Sequence, residues 1–173
     1  MNAPIFLIGF MGSGKTHIGK ELARKLDWSW VDLDQEITRL AGKSIPEIFA
    51  GPGESAFREM ENQCLRESLQ RDATVISCGG GVITHDDSRN LLLAQPRVVC
   101  LRIKPETVFR RVGNDPRRPL LQGTDAMGQI RKLMKAREPF YSQFEHQIDV
   151  DNLPTVRLVK RICKEFGLVR SGN

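Results

Sequence analysis

The chain has 173 residues, enough for one domain with a substantial core, and a formal net charge of +5. Apolar residues make up 40% and charged residues 27%, which excludes a low-complexity, fibrous or intrinsically disordered chain. No apolar stretch approaches the length of about 18 residues that reads as a membrane span, and the basic excess suits an anionic ligand such as a nucleotide, a phosphate or a carboxylate.

The first element is the apolar run Pro4-Ile5-Phe6-Leu7-Ile8, which predicts a buried strand. Residues 9–16 follow as Gly-Phe-Met-Gly-Ser-Gly-Lys-Thr, a complete G-x-x-x-x-G-K-[ST] phosphate-binding loop. Ile18, Leu22, Ala23 and Leu26 then repeat at helical spacing over 15–26. A glycine-rich turn before an ordinary helix is the plain alternative, but strand, loop and helix together supply the context the motif needs. In such a loop, glycines let main-chain N–H groups converge on phosphate oxygens, and the helix N-terminus adds partial positive charge. Lys15 reaches the β/γ-phosphates, and Thr16 offers its hydroxyl to Mg²⁺.

Further strands are predicted at 28–31, 74–78, 98–103 and, more weakly, 147–150. Helices are predicted at 34–40, 45–49, 55–69, 85–94, 105–112, 126–144 and 155–166. Strand–helix alternation implies an α/β chain with a parallel sheet covered on both faces, and ligands in such sheets bind beyond the carboxyl ends of the strands. There are no internal repeats and no linker, so residues 1–173 form a single domain. Residues 113–128 break the alternation: they are rich in Gly, Pro, Asp and Arg, and so long an irregular segment is a disordered loop or a functional lid.

Asp32 and Asp34 end the second strand, and two carboxylates two apart in extended chain share a face. With strand 2 beside strand 1, that face would point at the ligand of the phosphate loop and hold a metal or an acceptor hydroxyl. Helix capping is the alternative, although it needs only one of the two. The third strand runs into Gly79-Gly80-Gly81, either a ligand-approach turn or a loose connection. Arg58 and Arg137 lie in helical patterns where a solvated ion pair is the default. Arg118 lies in the irregular segment, as a lid residue or a solvated charge. His17, His85 and His146 form neither a ligand set nor a triad. Cys64, Cys78, Cys100 and Cys163 fit neither a zinc site nor a C-x-x-C motif; Cys78 and Cys100 read as buried free thiols, which fits a reducing cytoplasm. A signal peptide is not expected, because the loop interrupts the first apolar run and no charged leader precedes it. The arginines are spread along the chain and no basic run carries interleaved aromatics, so no nucleic-acid partner is expected.

Taken in order, these pieces resemble the shikimate kinases over nearly the whole length. The matching residues are 9–16, Asp32-Leu33-Asp34, Phe57-Arg58-Glu59-Met60-Glu61, Gly79-Gly80-Gly81, Arg118-Pro119-Leu120-Leu121 and Arg137-Glu138-Pro139-Phe140-Tyr141. The resemblance implies a three-layer P-loop fold of the nucleoside monophosphate kinase type, with a five-stranded parallel sheet and a lid at about 113–124. It implies transfer of the ATP γ-phosphoryl group to the 3-hydroxyl of shikimate, a step of chorismate and aromatic amino acid biosynthesis, by a cytoplasmic monomer without membrane attachment. Carried over, Gly12, Ser13, Gly14, Lys15, Thr16 and His17 hold the ATP phosphates. Arg111 and Pro154 flank the adenine, and Thr16 and Asp32 serve Mg²⁺. Asp34, Arg58, Gly79, Gly80, Gly81 and Arg137 bind shikimate, and Lys15, Asp34 and Arg118 act on the transferring group. His17 departs from the Ser or Thr usual in the family at that position, and 151–154 matches the family's adenine loop only loosely.

Two other readings compete. Another small-molecule kinase on this fold, for gluconate or a nucleoside monophosphate, is set apart by the pair Arg58 and Arg137, which asks for a carboxylate-bearing acceptor placed as in shikimate. A nucleotide-dependent switch could use Asp125-Ala126-Met127-Gly128 as a D-x-x-G element, but no apolar strand precedes it and no N-K-x-D motif exists in the chain.

Overall fold

A computed structural model describes residues 2–113 and 125–168. Within them, β1 (Ile5–Gly9), β2 (Ser29–Asp32), β3 (Thr74–Ser77), β4 (Val98–Arg102) and β5 (His146–Asp149) form one sheet in the order β2-β3-β1-β4-β5. Every pairing is parallel. β1 and β3 are buried along their whole length, as continuous apolar runs covered on both faces should be. Ile5, Phe6, Leu7, Ile8 and Ile76 stand at the centre of the core, with Leu22, Leu33, Ile37 and Leu65 packed from the helices.

The connecting helices are α1 (Lys15–Leu26), α2 (Leu33–Ala41), α3 (Ile45–Ala50), α4 (Glu54–Ser68), α5 (Asp86–Leu93), α6 (Pro105–Val112), α7 (Ala126–Tyr141) and α8 (Thr155–Glu165). The predicted segments therefore all exist, with small boundary shifts; α7 stops at Tyr141 rather than at residue 144. A 3-10 helix at Val82–Thr84, too short to show a period, was not predicted. No helix among the described residues is long and apolar enough to cross a membrane.

Two expectations about the aspartate pair are corrected. β2 does not lie beside β1; β3 sits between them, because the β1–α1–β2 crossover leaves a gap that the chain fills on its return through α2, α3 and α4. Nor do Asp32 and Asp34 share a strand face. The strand ends at Asp32, whose carboxylate caps α2 by accepting the Asp34 N–H at 3.0 Å, so Asp34 is already helical.

Candidate active site

The loop after β1 takes its shape from glycine. Gly12 and Gly14 have φ of 76° and 90°, left-handed values that cost an ordinary residue about 1–2 kcal/mol. Gly14 is the residue from which α1 starts, so the first main-chain N–H groups of that helix open into the loop. Lys15 folds back over the loop, its Nζ donating to the Gly9 and Phe10 carbonyls at 2.8 and 3.1 Å. The Ser13 side chain is fully buried, whereas Thr16 and His17 are exposed at the start of α1. Arg111, at the end of α6, donates to the Gly12 carbonyl at 2.8 Å and so reaches the loop from the other side. Pro154 is exposed as the N-cap of α8, in a segment tied to the start of α6 by the Lys104 N–H, which donates to Asp151 Oδ2 at 2.8 Å.

Thr16 Oγ1 donates to Asp32 Oδ2 at 2.9 Å. One carboxylate and one hydroxyl beside a phosphate loop suit a hard cation that takes its remaining ligands from phosphate and water. No group of three or more His, Cys, Asp or Glu among the described residues offers an all-protein cage instead. The donor set therefore fits Mg²⁺.

The second half of the site gathers around Gly79-Gly80-Gly81, which follows β3. A side chain at Gly79 would lie 2.7 Å from Glu61 Oε1 and 3.0 Å from Asp34 Oδ1. At Gly81 it would lie 2.5 Å from the Arg58 guanidinium, and at Gly80 3.3 Å from the Met11 main-chain nitrogen. The Gly80 carbonyl accepts from Arg137 Nη1 at 3.1 Å and from the Tyr141 hydroxyl at 2.8 Å. The glycines thus serve close approach, and two guanidiniums, two carboxylates and the phosphate loop converge on three residues of main chain. An open cavity of about 360 Å³ adjoins them, lined by Asp34, Gln35, Thr38, Arg39 and Ile45.

The helical ion pairs expected of Arg58 are present, but neither arginine is solvated. Arg137 is 8% exposed and stacks over Phe10, with 5.5 Å from guanidinium carbon to ring centre. Arg58 is held by Glu61 Oε2 at 2.7 Å and by Glu54 Oε1 at 3.3 Å. Glu61 and Tyr141 belong to this half-site and were not singled out from the sequence. A signal for Glu61 existed, since it falls at helical spacing on the buried face of α4 with Phe57, Cys64 and Leu65. Burial pushes the Glu61 carboxyl up to about 7, against the pull of Arg58. Burial also raises the Tyr141 phenol, which stays a neutral donor to Gly80. All four cysteines are buried free thiols, and burial pushes Cys64 and Cys100 up to about 11. Arg118 and all but the first residue of the expected lid lie outside the described residues.

A P-loop between the first strand and first helix of a five-stranded parallel sheet, with a two-arginine pocket against it, defines the class as a P-loop small-molecule kinase fold. The family model for shikimate kinase matches residues 11–166. Shikimate kinase of Deinococcus radiodurans is 43% identical over 162 residues, spanning 94% of this chain and 82% of that one. Shikimate kinase of Thermus thermophilus is 41% identical over 163 residues, or 94% and 89%. A solved shikimate kinase from Acinetobacter baumannii in complex with shikimate superposes with a TM-score of 0.90 at 35% identity, covering 96% of this chain and 93% of the other. A tunicamycin resistance protein of Deinococcus radiodurans, at 18% identity and a TM-score of 0.69, shares the fold alone. The chain belongs to the shikimate kinase family.

Proposed function

We propose that this chain transfers the γ-phosphoryl group of ATP to the 3-hydroxyl of shikimate, giving shikimate 3-phosphate and ADP, within chorismate and aromatic amino acid biosynthesis. The observation that carries this reading is the convergence of Arg58 and Arg137 on Gly81 and Gly80, with Gly80 itself packed against the phosphate loop at Met11. Two buried or half-buried guanidiniums ask for a carboxylate, and planar N–H forks orient as well as neutralise one. Shikimate offers that carboxylate together with hydroxyls that Asp34 and the glycine turn can meet; gluconate carries a carboxylate too, and the family match favours shikimate over it.

In this reading Lys15 and the N–H groups of Gly12, Ser13, Gly14, Thr16 and His17 bind the phosphates, with the His17 side chain left in solvent. Arg111 and Pro154 flank the adenine. Thr16 and Asp32 hold Mg²⁺, which when bound neutralises phosphate charge. Asp34 accepts a hydrogen bond from the attacking hydroxyl and orients it. Arg118, assigned through the family resemblance, joins Lys15 around the transferring group, and the lid at about 113–124 closes over it. Positioning and charge stabilisation are the principal demands of phosphoryl transfer, and these residues meet them without a covalent intermediate. Exclusion of water keeps hydrolysis from competing.

The same reading takes the protein to be a cytoplasmic monomer. Four buried, unpaired cysteines fit a reducing compartment. The deciding experiment is a coupled ADP-release assay with shikimate, gluconate and nucleoside monophosphates as acceptors. Turnover with shikimate alone is expected; turnover with another acceptor and none with shikimate refutes the reading.

A further inference from the structure

We propose that Trp30 and Ser77 form a positioning relay that sets the first turn of α1, and so governs the nucleotide side of the site independently of the shikimate side. The proposal rests on the assignment of the loop and of Thr16 to the nucleotide made above. Ser77 ends β3 and stands in register with Asp32 of β2. Its buried hydroxyl donates to the Lys15 carbonyl at 3.0 Å and accepts the Trp30 indole N–H at 3.1 Å. The Lys15 carbonyl and the Thr16 N–H belong to one planar trans peptide and point in opposite directions. Holding the carbonyl from the sheet therefore aims the Thr16 N–H, one of the unpaired donors at the start of α1, into the phosphate loop.

The sequence leaves a notch for this pair. Gly19 lies in α1 over Ser77 and Trp30, and a side chain there would come within 2.6 Å of Ser77 Oγ and 2.7 Å of Trp30 Nε1. Lys20 Nζ sits 4.6 Å over the Trp30 ring and fastens the next residue of α1 to β2. Trp30 and Asp32 alternate onto the same face of β2. The first turn of α1 is thus joined to the β2–β3 edge twice, once through Thr16 and Asp32 and once through the relay. The first join uses groups that a bound ligand competes for. The relay competes with no ligand, so it is the connection that keeps the Thr16 and Asp32 backbones at a set spacing in every state.

The test uses the full chain and titrates MgADP and shikimate separately by calorimetry. One net hydrogen bond on a positioned carbonyl is worth about a factor of five, so Ser77→Ala should weaken MgADP about five- to tenfold while shikimate affinity moves less than about twofold. Trp30→Phe should weaken MgADP less, about two- to threefold, because Ser77 keeps its bond to Lys15. The double variant should be no weaker than Ser77→Ala alone, since Trp30 acts through Ser77. Unchanged MgADP affinity, equal loss of both ligands, or additive losses in the double variant would each overturn the relay. Should Ser77→Ala fail to fold, Trp30→Phe, which keeps an aromatic ring in place, carries the same two-ligand comparison. A wild-type chain that binds MgADP but not shikimate would sink the functional reading and leave the relay to be judged on MgADP.

Discussion

Glu61 is fully buried, with one carboxyl oxygen bonded to Arg58 at 2.7 Å and the other, Oε1, without a hydrogen-bond partner among the described residues. Burial raises its carboxyl from 4.5 to about 7, so between those values the folded chain holds a proton that the unfolded chain has released. Stability from this group is therefore complete below about pH 4.5 and declines as pH rises, until it is lost above about pH 7. At about 1.4 kcal/mol per pH unit, the whole interval is worth about 3 kcal/mol, and the part between pH 5 and pH 8 about 2 to 3 kcal/mol. Glu61→Gln keeps the shape and cannot titrate. Urea unfolding of both proteins at pH 5 and pH 8 should show the wild type losing about 2 to 3 kcal/mol more than the variant over that interval. In kinetics at pH 8, where Glu61 is ionised, the variant leaves Arg58 without its buried anion and should raise KM for shikimate about tenfold, with KM for ATP unchanged. Parallel stability–pH curves for the two proteins would refute the reasoning, because they would mean that Glu61 is ionised at the same pH folded and unfolded.

Three further outcomes follow from the same geometry. Arg137→Ala should raise KM for shikimate about ten- to hundredfold and KM for ATP far less, since a charge-assisted pair to a carboxylate is lost; an unchanged shikimate KM would remove Arg137 from the site. Asp32→Asn separates two duties of one side chain: the amide oxygen can still cap α2, so thermal stability should hold, while the Mg²⁺ concentration for half-maximal activity should rise about tenfold. An unchanged Mg²⁺ requirement would leave Asp32 as a cap alone. Arg118→Ala should lower kcat at least about a hundredfold with both KM values little changed, and an intact kcat would end the lid role assigned to it.

The strands were legible because buried parallel strands are apolar without interruption, and a run such as Ile5–Ile8, between Pro4 and Gly9, is too short for a helix. The phosphate loop was legible because backbone chemistry prescribes its residues at set offsets. Arg58 and Arg137 were not. Arg58 lies among Glu54, Ser55, Glu61 and Asn62 at helical spacing, and Arg137 among Leu133, Met134, Phe140 and Tyr141, so period alone separates neither from an ordinary helix arginine. What gives them a role is the glycine turn after β3, which α4 and α7 meet in space. Helical period says which face a residue occupies, not what a distant segment will lay against it. Glu61 shows the converse: its period placed it on the buried face of α4, and a carboxylate among Phe57, Cys64 and Leu65 is itself a sign of a paired or functional group.

Strand order is the part of the fold that no local pattern carries, because β1 and β3 are interchangeable as apolar runs. It is also the part on which the site depends most. β3 lies directly beside β1, with Leu7 opposite Ser77, so the Gly79-Gly80-Gly81 turn, the proposed acceptor site, emerges next to the phosphate-binding loop. The remaining separation is set by main chain alone: a Cβ on Gly80 would already crowd the Met11 nitrogen. β2, displaced to the sheet edge, brings Asp32 and Asp34 in from the outer side. Asp32 reaches Thr16 across the start of α1, and Asp34 reaches Gly79 from the first turn of α2. Had β2 lain beside β1, as the aspartate pair first suggested, the acceptor turn would have been a strand further from the phosphates. A carboxylate-bearing acceptor held by Arg58 and Arg137 could then not have met the γ-phosphoryl group without a longer reach. The alternation of strands and helices makes a phosphate-binding loop possible, and the insertion of β3 sets the glycine turn, with Arg58 and Arg137, directly beside it.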